Sequence, residues 1–221
     1  MNVHSLRRLA WPSVVLTGIG AVVCGLISAA GPGTPAGDGG GTPALSPTGP
    51  PPVAAPAPPP GAPPVPPAGQ ILGTITIPHL RALGHPYHFT IRQGVDKATV
   101  LDSGAVGHYD DTQLPGTPGN FGLAAHRNTH GEPFRWINRL AVGDTVLVDT
   151  PHDDYRYVLD RELPQTTEQD YAVLDPIPAQ GGYRSVGQYL TLTTCTPEFT
   201  SEYRLIWWGH LVSRTPTAPL R

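Results

Sequence analysis

Between residues 31 and 69 the chain carries a proline every few positions, no aromatic residue and one charge, Asp38. Such a stretch buries too little apolar surface to offset its chain entropy, and its prolines favour extended polyproline II. It divides the chain, so whatever folds must lie beyond it. The remainder, roughly residues 70–214 or about 145 positions, is the size of one ordinary domain and can enclose a core. The stretch itself reads as a semi-rigid spacer: about 39 residues at ~3.1 Å each reach at most on the order of 120 Å, less where glycines bend it.

Ahead of the spacer, Leu9 to Ala30 reads LAWPSVVLTGIGAVVCGLISAA, free of charge. About 22 residues at ~1.5 Å per residue cross a hydrocarbon core of ~30 Å. Arg7 and Arg8 precede it, and flanking positive charge stays on the cytoplasmic side. The expected layout is therefore a cytoplasmic N-terminus over 1–8, a transmembrane anchor over 9–30, the spacer over 31–69, an extracellular folded domain over 70–214 and a tail over 215–221. Trp11 suits the interfacial belt, and Pro12 the start of the helix. A cleaved signal peptide, with Ser28 and Ala30 as small cleavage-site residues, is the competing reading. The apolar run is longer than the ~7 to 15 residues of a signal core, which favours the anchor.

A formal net charge of -3, with Lys and Arg scattered among Asp and Glu, offers no basic face, so nucleic acid is not expected as a partner. The two cysteines, Cys24 and Cys195, cannot pair inside one domain if Cys24 sits in the anchor. Cys195 has no C-x-x-C companion, and the Asp110, Asp111, Asp153 and Asp154 positions show no calcium-ligand spacing and read as solvated turns. No metal and no cofactor is expected.

Beyond Gly69 short strand-like runs alternate with Gly, Pro and Asp. Strands are expected near 71–78, 87–92, 104–109, 120–126, 144–150, 154–163, 188–195 and 202–212, and short helices at 95–103 and 133–140. The number of strands and their turn punctuation suit an all-β barrel or sandwich.

In QYLTLTTC, residues 188–195, the period of two sets Leu190, Leu192 and Thr194 on one face and Tyr189, Thr191, Thr193 and Cys195 on the other. The leucines suit the core, leaving Cys195 at a strand end on the less apolar side. If residues 196–203 form a symmetric hairpin connection, Arg204 lies opposite Cys195, where a guanidinium favours thiolate over thiol. A nucleophilic thiol needs a proton-transfer partner. His126 ends the run NFGLAA as Cys195 ends its own; His108 and His130 compete with it, and spacing alone does not choose. His79, His85, His88 and His152 read as loop or surface residues, and His210 as a structural or rim residue. The bland alternatives are a buried filler thiol for Cys195 and a surface cation for Arg204.

TLTTC followed by Arg204, together with PGTPGN, GNFGLAAHR, GHY at 107–109 and HRNTHGEPF at 126–134, resembles the sortase family of cysteine transpeptidases and is most similar to its class E members. The resemblance covers nearly all of 71–213. It implies a closed eight-stranded sortase-type β-barrel, a catalytic trio of His126, Cys195 and Arg204, and substrate contacts from Thr194, Tyr109 and His130. Two departures stand out: Ala125 where the family more often has glycine, and His130 where related sequences often have tyrosine. The implied reaction cleaves an L-A-x-T-G or L-P-x-T-G type sorting motif between Thr and Gly through a thioester, then joins the Thr carboxyl to an amine of a peptidoglycan precursor. The implied partners are secreted proteins bearing the sorting signal, the lipid-linked wall precursor, and the membrane through the anchor. The spacer holds no D-P-W motif, which argues against a lidded pilus polymerase. A wall-directed cysteine hydrolase and a non-catalytic display module on a stalk are the rival readings.

Overall fold

A computed structural model describes residues 65–85 and 87–217. The anchor, and the spacer up to residue 64, lie outside the described residues. No helix among the described residues is long and apolar enough to cross a membrane.

Eight strands make a closed barrel: β1 (Ile71–Thr76), β2 (His88–Gln93), β3 (Val106–His108), β4 (Gly119–Ala124), β5 (Thr145–Asp149), β6 (Asp153–Thr166), β7 (Gln188–Thr196) and β8 (Tyr203–Pro216). Around the barrel they run β1-β2-β3-β4-β7-β8-β6-β5. Most neighbours are antiparallel, but β4 and β7 run in the same direction, with Gly119 opposite Gln188 and Ala124 opposite Thr193. Two parallel neighbours finish at the same end of the sheet, and that places the residues after Ala124 beside Thr194 and Cys195.

The expected strands are all present, with shifted ends. Pro78, expected within the first strand, instead opens a short helix, α1 (Pro78–Ala82), where its missing N–H costs nothing. The expected helices at 95–103 and 133–140 are replaced by turns ending in 3-10 segments at Leu101–Ser103 and Ile137–Arg139. In the first, Asp96 Oδ1 takes hydrogen bonds from the amide and hydroxyl of Thr99, a local turn that competes with helix. In the second, the buried anchors Phe134, Ile137 and Leu140 recur every third residue, which matches the ~3 residues per turn of the tighter helix.

Leu190 and Leu192 of β7 point into the barrel with Ile75, Ile91, Phe121, Leu123, Tyr157 and Trp207. The opposite face of β7, expected to be the wetter one, is also covered. Thr191 and Thr193 are buried, with Thr191 Oγ1 donating to Asn120 Oδ1 at 2.8 Å and Thr193 Oγ1 to the Leu123 carbonyl at 3.2 Å. The cover comes from the connection between β6 and β7, whose Val173 packs with Ile206 and Trp208 of β8 into a second, outer cluster.

Asp153 departs from its expected role as a solvated turn. It is buried, and Arg214 Nη2 reaches its Oδ2 at 2.7 Å; that hydrogen bond holds the carboxyl below the ordinary carboxylate value. The cause is the length of β8, which runs on to Pro216 and sets Arg214 against Tyr155.

His108, at 1% exposure, lies between Gln93 Oε1 at 2.8 Å and the Gln113 carbonyl at 3.1 Å. Burial pushes it from its ordinary 6.5 down to about 4, against smaller upward pulls from the Gln113 carbonyl and Asp110. A histidine held uncharged contributes stability in full above pH ~6.5 and loses it as pH falls toward its folded value. The shift corresponds to roughly 3 kcal/mol. Melting curves at pH 7 and pH 4.5 should therefore show a steeper loss for the parent than for His108→Gln. Equal slopes would mean that this imidazole does not titrate with folding.

Candidate active site

Cys195 is the penultimate residue of β7 and sits opposite Arg204 of β8, with Thr196 opposite Tyr203. The hairpin register expected from the sequence is the register observed. The thiol is half-buried and borders a cleft of about 750 Å³, also lined by Tyr109, Ala125, His126, Arg127, Thr194 and Arg204. His126 lies two residues past the end of β4. Ala125 before it is tied to β7 twice: its amide donates to the Thr193 carbonyl at 3.3 Å, and its carbonyl accepts from Thr194 Oγ1 at 2.8 Å. Thr194 thus locks the backbone that carries His126, and the Ala125 methyl fits within the barrel's core.

The site holds a partner that sequence spacing did not single out. Asp102 Oδ1 lies 2.8 Å from His126 Nε2. A carboxylate in that position fixes the tautomer and orientation of the ring and leaves Nδ1, which has no hydrogen-bond partner among the described residues, as the nitrogen able to exchange a proton. Asp102 sits in the 3-10 segment that replaced an expected helix, 24 positions before His126, so no local pattern could have linked the two.

His130 lies beside His126 rather than along the cleft. Its ring packs on the His126 ring at 5.0 Å, and its Nδ1 is 3.5 Å from the same Asp102 oxygen. Asp102, His126 and His130 bring one carboxylate oxygen and two ring nitrogens within 4.8 Å of one another, the one such group among the described residues with spacing to hold a cation. Within it, Asp102 Oδ1 already serves as acceptor for His126.

Tyr109 lines the cleft, and its hydroxyl is 2.9 Å from Thr193 Oγ1; burial raises the phenol's pKa, so it stays protonated at neutral pH. Arg204 donates through Nη1 to the carbonyls of Ser201 at 2.8 Å and Tyr203 at 3.1 Å, and its Nη2 pairs with Glu168 Oε2 at 2.9 Å. Of the competing histidines, His108 is enclosed in its own polar network. His79 pairs with Asp144 and His210 with Asp160, each at 2.7 Å.

A thiol, an imidazole braced by a carboxylate, and a guanidinium at one mouth of a closed barrel are the working parts of thiol-based acyl transfer. The sortase domain model matches residues 75–212, and the chain belongs to the sortase family, a family of cysteine transpeptidases. It is 46% identical to Sortase SrtE1 of Streptomyces coelicolor over 153 residues, 67% of this chain and 42% of that protein. It is 39% identical to Sortase SrtE2 of the same organism, over 58% of this chain and 56% of that protein. The chain thus spans about half the length of the curated relatives it matches. Among solved structures it is similar to Sortase E1 of Streptomyces coelicolor, crystallised with a tripeptide in the active site, at 46% identity and a TM-score of 0.63 over 67% of this chain and 91% of that one. Sortase E from Streptomyces avermitilis has the same fold, at 37% identity and a TM-score of 0.60 over 68% of this chain and 93% of that one. These relatives agree with the class E resemblance carried by the motifs.

Proposed function

We propose that the chain is a membrane-tethered cysteine transpeptidase that cuts a sorting motif of the L-A-x-T-G or L-P-x-T-G type between Thr and Gly and joins the Thr carboxyl to an amine of a cell-wall precursor. One arrangement carries the reading: Cys195 of β7, Arg204 of β8 and His126, just past the end of β4, border one cleft of about 750 Å³. The tripeptide held by the Streptomyces coelicolor relative supports a peptide occupant. In the first half-reaction the Cys195 thiolate attacks the Thr carbonyl, and the His126 imidazolium gives its proton to the departing glycine amine. Arg204, or a backbone N–H near Thr194, steadies the oxyanion. In the second half-reaction His126 takes a proton from the incoming amine as that amine displaces the thiol, and the product is an amide. Thr194 and Tyr109 shape the cleft around the scissile bond, and His130 acts on it through the His126 ring. The apolar run at 9–30 and the spacer at 31–69 fit a catalytic domain held outside the cytoplasmic membrane, within reach of both secreted proteins and wall precursors.

The test is product identity. The full-length chain is incubated with a labelled L-A-x-T-G peptide and an amine acceptor, and the products are resolved by mass. An amide-joined product supports the proposal, free acid alone points to a hydrolase, and no turnover across a panel of motifs and amines leaves a display module.

Arg204 supplies a second expectation. Arg204→Ala should lower turnover by about 10²-fold, the usual worth of an oxyanion donor. Glu168 competes with substrate for the same guanidinium. A half-exposed ion pair is worth ~0.2–1 kcal/mol, so Glu168→Gln should raise kcat/KM roughly 1.5- to 5-fold. A fall in kcat/KM for Glu168→Gln would show that the pair holds Arg204 in its working position instead.

A further inference from the structure

His126 borders the cleft, whereas Asp102 and His130 stand outside its lining, around Nε2 of the same ring. There Asp102 Oδ1 lies 2.8 Å from His126 Nε2 and 3.5 Å from His130 Nδ1. In a tetrahedral zinc site with bonds of ~2.0–2.2 Å, neighbouring donor atoms stand ~3.3 Å apart. The two observed spacings straddle that value, and all three donor atoms fall within 4.8 Å of one another. His130, 41% exposed at its side chain, has room to turn toward the other two. Among the described residues no lysine or arginine pairs with Asp102; its ion-pair partners are the two histidines. With both rings neutral the cluster therefore carries a net negative charge. The backbone presents it ready-made. His130, Gly131 and Glu132 have φ of 52°, 80° and 51°, a conformation disfavoured for the two that are not glycine. Gly104, two residues after Asp102, packs against this turn so closely that a Cβ there would come within 2.9 Å of the His130 carbonyl oxygen. Two loops thus meet backbone to backbone, one carrying Asp102 and the other His130.

We propose that Asp102, His126 and His130 form a zinc site whose filling switches off the transfer reaction. Two imidazoles and one carboxylate suit zinc and leave a fourth position for water. Calcium, which takes six or more oxygen ligands, finds a single carboxylate here. On binding, the lone pairs of His126 Nε2, His130 Nδ1 and Asp102 Oδ1 replace water on the ion. The proton that Nε2 shared with Asp102 leaves to solvent, and Nδ1 of the same ring takes one up; nothing is oxidised or reduced. A ring bound to metal at Nε2 and protonated at Nδ1 accepts no second proton. It can be neither the imidazolium that the departing glycine amine requires nor the base for the incoming amine. Zinc thus stops both half-reactions from outside the cleft and leaves the peptide's place open. The switch rests on the reading of His126 as proton carrier; the binding of metal does not.

The experiment measures binding first. The full-length chain carrying Cys24→Ala and Cys195→Ala, which offers the metal no thiol, is titrated with zinc chloride against a fluorescent chelator. The same titration is run with Asp102→Asn or His130→Gln added. Loss of one ligand should weaken binding at least about tenfold. Weakening in both variants supports the site. Affinity unchanged in either one, or no zinc held at micromolar free metal, overturns it. Activity follows with the thiols intact, at zinc levels set by a chelating buffer. Zinc should lower kcat while KM stays within about twofold. With each rate normalised to its own zinc-free value, His130→Gln should need at least about tenfold more zinc for half inhibition. An equal zinc requirement would place the inhibiting metal on Cys195 and overturn the switch. Failure of the His126 reading would show separately, as peptide transfer that survives His126→Gln without any metal present.

Discussion

Replacing Cys195 by alanine is expected to reduce both cleavage and joining of a sorting-type peptide by at least about 10³-fold, because no covalent intermediate can form. The fold should barely notice. Cys195 is half-buried at the end of β7, and the bonds that fasten this corner run through its carbonyl and through Thr194 and Thr196, which the substitution leaves in place. Cys195→Ser should fail almost as badly, since a hydroxyl is far harder to ionise beside the same cations. His126→Gln should lose about 10²- to 10⁴-fold, the usual range for general acid–base catalysis. Rates are read from the joined product, and a trapped thioester with the parent protein identifies the intermediate. Joining by the alanine variant at anything near the parent rate would end the mechanism.

Trp208→Ala should have the largest effect on stability, a loss of about 3–5 kcal/mol. Trp208 is fully buried in the outer cluster, and Gly181 packs so closely that a Cβ there would come within 2.9 Å of the indole. The indole N–H donates to the Val173 carbonyl at 2.9 Å. That carbonyl also receives Thr191 Oγ1 at 3.3 Å and Asn120 Nδ2 at 3.5 Å, so the substitution does not orphan it, and the loss is mostly that of an unfilled cavity. A melting temperature lower by roughly 10 to 20 °C is the expected reading. A loss below about 1 kcal/mol would mean that the cluster collapses to fill the space.

The pairing of Cys195 with Arg204 is legible because alternation and hairpin symmetry are local rules, and β7 and β8 obey them without a bulge between them. The barrel's strands are legible for the same reason. The choice of His126 over His108 and His130 needs the family resemblance, since it depends on β4 lying parallel to β7, a pairing that no local pattern announces. Asp102 is hidden because it approaches from a turn far along the chain. Asp153 reads as a turn because its partner lies on an extension of β8 that the polar sequence SRTP does not suggest. Apolar spacing favours helices at 95–103 and 133–140, but the first is claimed by a side-chain turn and the second by an every-third-residue repeat.

The parallel pairing of β4 and β7 has a consequence in time. Ala125 and Thr194, which fasten His126 to the neighbourhood of Cys195, are 69 positions apart, and contacts that close so long a loop form slowly. Until that loop closes, Cys195 lacks the histidine that the proposed mechanism pairs with it. Reactivity then arrives only with the finished barrel, and a chain still emerging or half folded has no assembled site with which to cut its neighbours.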